Sequence, residues 1–169
     1  MSDYTAPPPP PGGYEAPSYG VRAGGELAAW PLRVGAFLID YLLYVPGYIL
    51  YILGAPKATT VTSGGTSSLV ATGGSTPLML VGALYIVAIA IWNRWLRGGA
   101  GQSLGKRVVG LRLLGESTGQ PIGAGQAFLR DVAHIVDSII CYIGFLFPLW
   151  DAKRQTIADK IVKSVVVRV

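Results

Sequence analysis

A chain of 169 residues, 51% hydrophobic and only 14% charged, with a formal net charge of +5, has the length of one domain and too few charges for an ordinary soluble surface. Its apolar residues are gathered into blocks, not spread with an amphipathic period, which points to an integral membrane protein. The basic excess flanks those blocks without forming a nucleic-acid-binding motif, so it is read as a topology signal and a contact for lipid headgroups.

Residues 1–29 carry the run Pro7 to Pro11, several glycines, and Tyr4, Tyr14 and Tyr19. Such a segment cannot bury a core. It is expected to be a disordered, locally polyproline II leader on the cytoplasmic side, a solvated spacer or a ligand for an aromatic groove on a partner. It has no basic region leading into a short apolar core, so the first helix is expected to act as its own insertion signal.

The stretch from about 33 to 53 is almost wholly apolar and has the roughly 20 residues that a helix needs to cross about 30 Å of hydrocarbon. Arg33 stands at its head, where it can snorkel to the headgroups. Asp40 lies about 10 Å deeper on the same face, where an acid requires a partner or a wet cavity. Tyr41, Tyr44, Tyr48 and Tyr51 form a second stripe, expected to pack against a neighbouring helix. Residues 54–76, rich in Thr, Ser and Gly with Lys57 as the only charge, read as a flexible polar loop.

A second span covers about 78–96 and ends in Trp92, Arg94, Trp95 and Arg97, residues suited to a membrane boundary. The following loop adds Lys106, Arg107 and Arg112. By the positive-inside rule it is cytoplasmic, and so is the N-terminus. Residues 107–114 and 163–169 are β-like, and pairing them needs both on one side of the membrane. The third block, about 131–150, conflicts with the charge rule if it crosses once, because Lys153, Arg154, Lys160, Lys163 and Arg168 follow it. Gly144 and Pro148 allow a re-entrant element instead, and the charges and the strand pairing favour that reading with a cytoplasmic C-terminus.

Arg130, His134, Asp137 and Cys141 fall on one helical face of this block. Facing Asp40, they would make a polar core in which burial and nearby arginines set opposing pressures on the carboxyls. The alternative is that His134 and Asp137 lie near the interface and bond water. The His-x-x-Asp-x-x-x-Cys spacing is too thin for a metal site. The lone Cys141 allows no intrachain disulfide. Gly98 to Arg107 lacks the spacing of a phosphate-binding loop, and no nucleophile elbow occurs, so neither an enzyme nor a cofactor is expected. Thr156 with Asp159 three residues on can cap a short helix.

Three motifs, Leu32 to Asp40, Gly101-Gln102-Ser103-Leu104-Gly105-Lys106-Arg107 with its continuation to Arg112, and Asp151 to Lys160, together resemble the RDD family of bacterial membrane proteins. Arg33 matches the family arginine, Asp40 the first aspartate, and Asp159 the second, with Asp151 the weaker match. Val162-Lys163-Ser164 stands where the family pattern has Ala-Gly-Thr. The leader resembles that of the actinobacterial proline-rich-antigen type. The resemblance implies a protein of the cytoplasmic membrane, with transport of ions or small ligands suggested.

The expected architecture is therefore a small α-helical membrane bundle over 30–169, with two firm spans, a third embedded segment and a short cytoplasmic β element. Its size suggests a homo-oligomer or larger complex. Its expected function is transport of cations, protons or small ligands, with Asp40 titrating, Arg33 tuning it and Asp159 as a cytoplasmic partner. The alternative is a non-transporting scaffold that recruits partners or anionic lipid through its leader and basic face.

Overall fold

Two prolines decide how the first apolar block folds in the computed structural model, which describes residues 25–169. Pro31 sits in the first turn of α1 (Trp30–Leu42), where its missing N–H costs nothing. Pro46 opens α2 (Val45–Gly54); it cannot donate to the Leu42 carbonyl, and its ring would clash there. The block is thus two helices bent by 45°, not the continuous helix expected from 33 to 53.

α2 lies against α3 (Thr76–Ile89) through glycines. A β-carbon on Gly82 would fall 2.5 Å from the Tyr51 amide nitrogen and 2.7 Å from the Gly47 carbonyl oxygen, so the two backbones approach as closely as small residues permit. α3 continues as a π-helical segment, Ala90–Arg97. Together they form, among the described residues, the one unbroken helix long and apolar enough to cross a membrane, 22 residues from Thr76 to Arg97. Leu42, Ile52, Leu84 and Ile139 are each at least 66% exposed, a surface suited to hydrocarbon and not to water.

The segment expected to be a flexible loop is instead an antiparallel hairpin of β1 (Lys57–Ser63) and β2 (Thr66–Thr72), fully exposed along both strands. Gly64 and Gly65, at φ 60° and 83°, supply the positive-φ pair that a tight two-residue turn demands. The β-branched Thr and Val residues on either side hold the strands extended, which the polar composition masked.

The third block is longer than expected and does not run straight. α5 (Gly123–Ile139) meets α6 (Ile143–Leu146) and the 3-10 turn Phe147–Leu149 at a bend of 109°. The left-handed residues Cys141 and Tyr142, at φ 55° and 62°, reverse the chain there.

A second sheet pairs β3 (Leu111–Gly115) with β4 (Ser164–Arg168), in register from Leu111 opposite Arg168 to Gly115 opposite Ser164. Residues 107 and 108, expected in the strand, close the short helix α4 (Leu104–Val108). Glu26 to Ala28 add a rung beside β4: the Ala28 amide donates to the Val166 carbonyl at 2.9 Å, and the Arg168 amide to Glu26 at 2.7 Å. That corrects the leader boundary set at residue 29; the proline-rich run itself lies outside the described residues. Leu111, Leu113 and Val166 pack with Ala28 and Ala36 into the core, seating the sheet against the head of α1. α7 (Ile157–Ile161) follows the third block and carries a capping box of Thr156 and Asp159.

Candidate functional site

Asp159, on α7, is wholly buried and takes two arginines. Arg33 Nη1, from the head of α1, donates to its Oδ2 at 2.8 Å; Arg130 Nε, from α5, donates to its Oδ1 at 2.7 Å. The Thr156 amide and the Ser164 hydroxyl each add a bond of 3.2 Å. Burial alone would raise this carboxyl, but the guanidiniums of Arg130 and Arg33 outweigh it and hold Asp159 well below the usual carboxylate range. Removing one member of such a cluster leaves buried charge uncompensated, whereas the complete cluster contributes mainly by fixing which elements meet.

Asp137, also wholly buried, completes the attachment of α7 to α5. It accepts from the amides of Ile157 at 3.2 Å and Ala158 at 3.3 Å, the unsatisfied donors of the first turn of α7, and shares a 2.6 Å hydrogen bond with His134 Nδ1. Gly144 lets α6 close over it, since a β-carbon there would overlap Asp137 Oδ1. The expected stripe on α5 thus holds for Arg130, His134 and Asp137, but Arg130 and Asp137 bond α7, His134 bonds Asp137, and none of the three bonds Asp40. Cys141 lies beyond the helix end and is exposed.

Asp40 forms a separate centre. Its Oδ1 accepts from Asn93 Nδ2 and the Gly105 amide, both at 2.7 Å, and its Oδ2 from the Ser103 hydroxyl at 2.6 Å. Arg33, expected to tune it, is turned to Asp159; the side chains share a face of α1 but lie two turns apart, and each reaches a different layer. Asn93 is fully buried in the π-helical segment, a geometry recurrent at functional positions, and its Oδ1 accepts from the Leu104 amide at 2.8 Å. Gly105 fits because it lacks a β-carbon, which would overlap the Ala36 carbonyl. Asp40 and Asn93 therefore hold the loop from Gly101 to Lys106 against α1 with neutral donors only.

Between the two centres, α1 and α5 border an open-sided cavity of about 1070 Å³, reached by Lys106 from α4. Arg33, Arg94, Lys106 and Arg130 line it against Asp40 and Asp131. Arg94 is matched by Asp131 at 2.8 Å, which also accepts from Trp95 Nε1 at 3.0 Å. Arg33 keeps two buried nitrogens, Nε and Nη2, without a hydrogen-bond partner. The Lys106 ammonium has a long 3.4 Å contact with Ser103, and burial, with Arg130 beside it, brings it down to about 8 despite Asp40, Asp159 and Asp131. Among the described residues no group of three or more His, Cys, Asp or Glu side chains is placed to hold a metal ion.

Asp151, the weaker match for the second aspartate, stands apart. It pairs with Lys160 and caps the amides of Lys153 and Gln155. Burial raises its carboxyl, and these donors together outweigh it and bring it below its ordinary value. The tyrosine stripe divides: Tyr44 is buried and lines the cavity, Tyr41 lines it while half exposed, and Tyr48 and Tyr51 face outwards, with Tyr41, Tyr44 and Tyr48 in mutual ring contact.

The motifs that carry Arg33, Asp40 and Asp159 fall within residues 27–163, which match the model of the RDD family. The chain belongs to the RDD family. The proline-rich antigen of Mycobacterium leprae (strain TN) is 42% identical over 146 residues, 80% of this chain and 59% of that protein. The proline-rich antigen homologues of two Mycobacterium tuberculosis strains, CDC 1551 / Oshkosh and ATCC 25618 / H37Rv, are 53% identical over 91 residues, 53% of this chain and 37% of theirs. The chain thus covers less than two thirds of each. No solved structure matches it. Membership and the exposed apolar helices make this a membrane protein. Within the matched region, Arg33 and Asp159 form a direct ion pair and Asp40 lies outside it. Ser164, where the family pattern has threonine, supplies its hydroxyl to Asp159; Lys163, in the glycine position, adopts φ 52°.

Sequence reading missed Asn93, Ser103, Gly105 and Lys106. An asparagine inside an apolar span was the available signal, since an amide there needs partners.

Proposed function

We propose that this RDD protein is a multi-pass protein of the bacterial cytoplasmic membrane that takes a small anionic ligand into the cavity between α1 and α5, for passage into or across the membrane, without covalent chemistry. The observation that carries the reading is the cavity wall. Four cationic side chains meet two carboxylates there: Arg33 and Arg130 are bound to Asp159 and Arg94 to Asp131, while Lys106 makes the long contact with Ser103. A cation would meet the opposite: Asp159 is already held by two arginines, and both oxygens of Asp40 are occupied by neutral donors. The titrating role for Asp40 therefore gives way to an anchoring one.

The pairing of β3 with β4 supports this topology, since it asks the chain to return to the side it left after the Thr76–Arg97 span. The third block is then re-entrant, and the basic segments around it and the N-terminus are cytoplasmic.

In detergent-solubilised protein, inorganic pyrophosphate is expected to raise the thermal midpoint, and Lys106→Gln to remove most of that shift. No shift with pyrophosphate, together with a sodium or proton flux in proteoliposomes that Asp40→Asn abolishes, would overturn the reading in favour of cation transport.

A further inference from the structure

We infer that the natural occupant of the cavity is an anionic phospholipid, its phosphate set among Arg33, Lys106 and Arg130 and its acyl chains lying in the groove between α1 and α5. This deepens the reading above by naming the class of anion, and it rests on it.

The first support is the order of side chains along the two helices. Arg33 stands near the start of α1 and Arg130 midway along α5, and on both helices apolar residues that line the cavity follow the arginine towards the C-terminal end. On α1, Phe37 and Tyr41 follow Arg33 by about 6 and 12 Å of helix rise; on α5, Ile135 and Ile139 follow Arg130 by about 8 and 14 Å. All four line the cavity. Charge at one end and apolar wall below it match the polarity of a lipid from headgroup to tail, and a free phosphate uses only the first part.

Size is the second support. At about 1070 Å³ the space reaches the upper end of the roughly 300–1,000 Å³ typical for drug-sized ligands, far more than a phosphate fills. Access is the third. Phe37, Tyr41, Ile135, Ile139 and Tyr142 line the cavity and are each at least 48% exposed, so the groove opens sideways, where the bilayer would lie.

The test uses the full chain in nanodiscs of phosphatidylethanolamine and phosphatidylglycerol, doped with a phosphatidylglycerol bearing a photoactivatable acyl chain. Cross-links are expected at Phe37, Tyr41, Ile135 and Ile139. They should fall about tenfold in Lys106→Gln, the factor that one lost contact worth about 1.4 kcal/mol gives. Ile135→Trp, which fills the groove and leaves every ion pair in place, should lower them as well and guards against a folding defect. Labelling spread evenly around α2 and α3, unchanged in both variants, would mean ordinary surrounding lipid and overturn the inference. Chain-to-chain cross-links across the groove would assign it to a second copy and overturn it too. Pyrophosphate stabilisation without groove labelling would sink the lipid and leave the anion cavity standing; loss of both would sink the two together.

Discussion

Asp159 meets two guanidiniums; Asp40 meets an amide side chain, a hydroxyl and a backbone N–H. Two aspartates that the sequence resemblance groups together are thus satisfied in different ways, and the difference separates their tasks. Asp159 draws α1, α5 and α7 to one point through full charges, a bond strong against loss of a partner and intolerant of neutralisation. Asp40 gathers a loop by neutral donors, which cost less to keep dry and leave Lys106 outside any close ion pair. Ion pairing builds the frame, and neutral bonding presents the working lysine.

The strongest challenge to that contrast is Asp159→Asn. It strands Arg33 and Arg130 in the interior and is expected to cost about 3–5 kcal/mol, seen as loss of the folded fraction in denaturant titration. Asp40→Asn should be cheaper, about 1–3 kcal/mol, because one acceptor survives and only a donor clash with Ser103 or Gly105 is introduced. Its signature is faster proteolysis between Gly101 and Arg107 while α7 stays protected. Equal losses for the two variants would erase the distinction.

pH divides the centres next. Asp159 has a depressed carboxyl, so the stability it contributes is fully present above its unfolded value of 3.8 and declines as pH falls below that. A pH-stability curve that is flat between 5 and 2 would refute it. Lys106 acts in the other direction: its ammonium titrates near 8 in the folded protein, so pyrophosphate binding should weaken as pH rises from 7 to 9, and Lys106→Gln should flatten that profile. The smallest effect is expected from Lys163→Gly. It relieves a left-handed lysine beside Ser164 and should stabilise by under about 1 kcal/mol after the greater freedom of the unfolded chain is counted.

How much of this was legible in the sequence depends on whether the signal was local. The apolar blocks, the Thr156–Asp159 cap and the two short strands are written in neighbouring residues, and they recur in the structure. The break in the first helix was local as well, at Pro46, but the hydropathy of the surrounding residues drowned it. Gly64-Gly65 between β-branched residues was a hairpin signal lost in the same manner. The partners of the aspartates were another matter. Asn93 and Ser103 lie 53 and 63 residues from Asp40, and Arg33 lies 126 from Asp159. Helical periodicity tells which side chains share a face, and Arg33 and Asp40 do share one; it is silent on which layer of the neighbouring elements each reaches.

The rung that Glu26 to Ala28 add to β4 makes the amino-terminal stretch mechanically continuous with the ion cluster. Tension on the chain ahead of Glu26 passes into Val166 and Arg168 before it reaches α1, and from β4 through the Ser164 hydroxyl to Asp159. Whatever grips the leader therefore holds a drawstring on the clasp that closes the three helices.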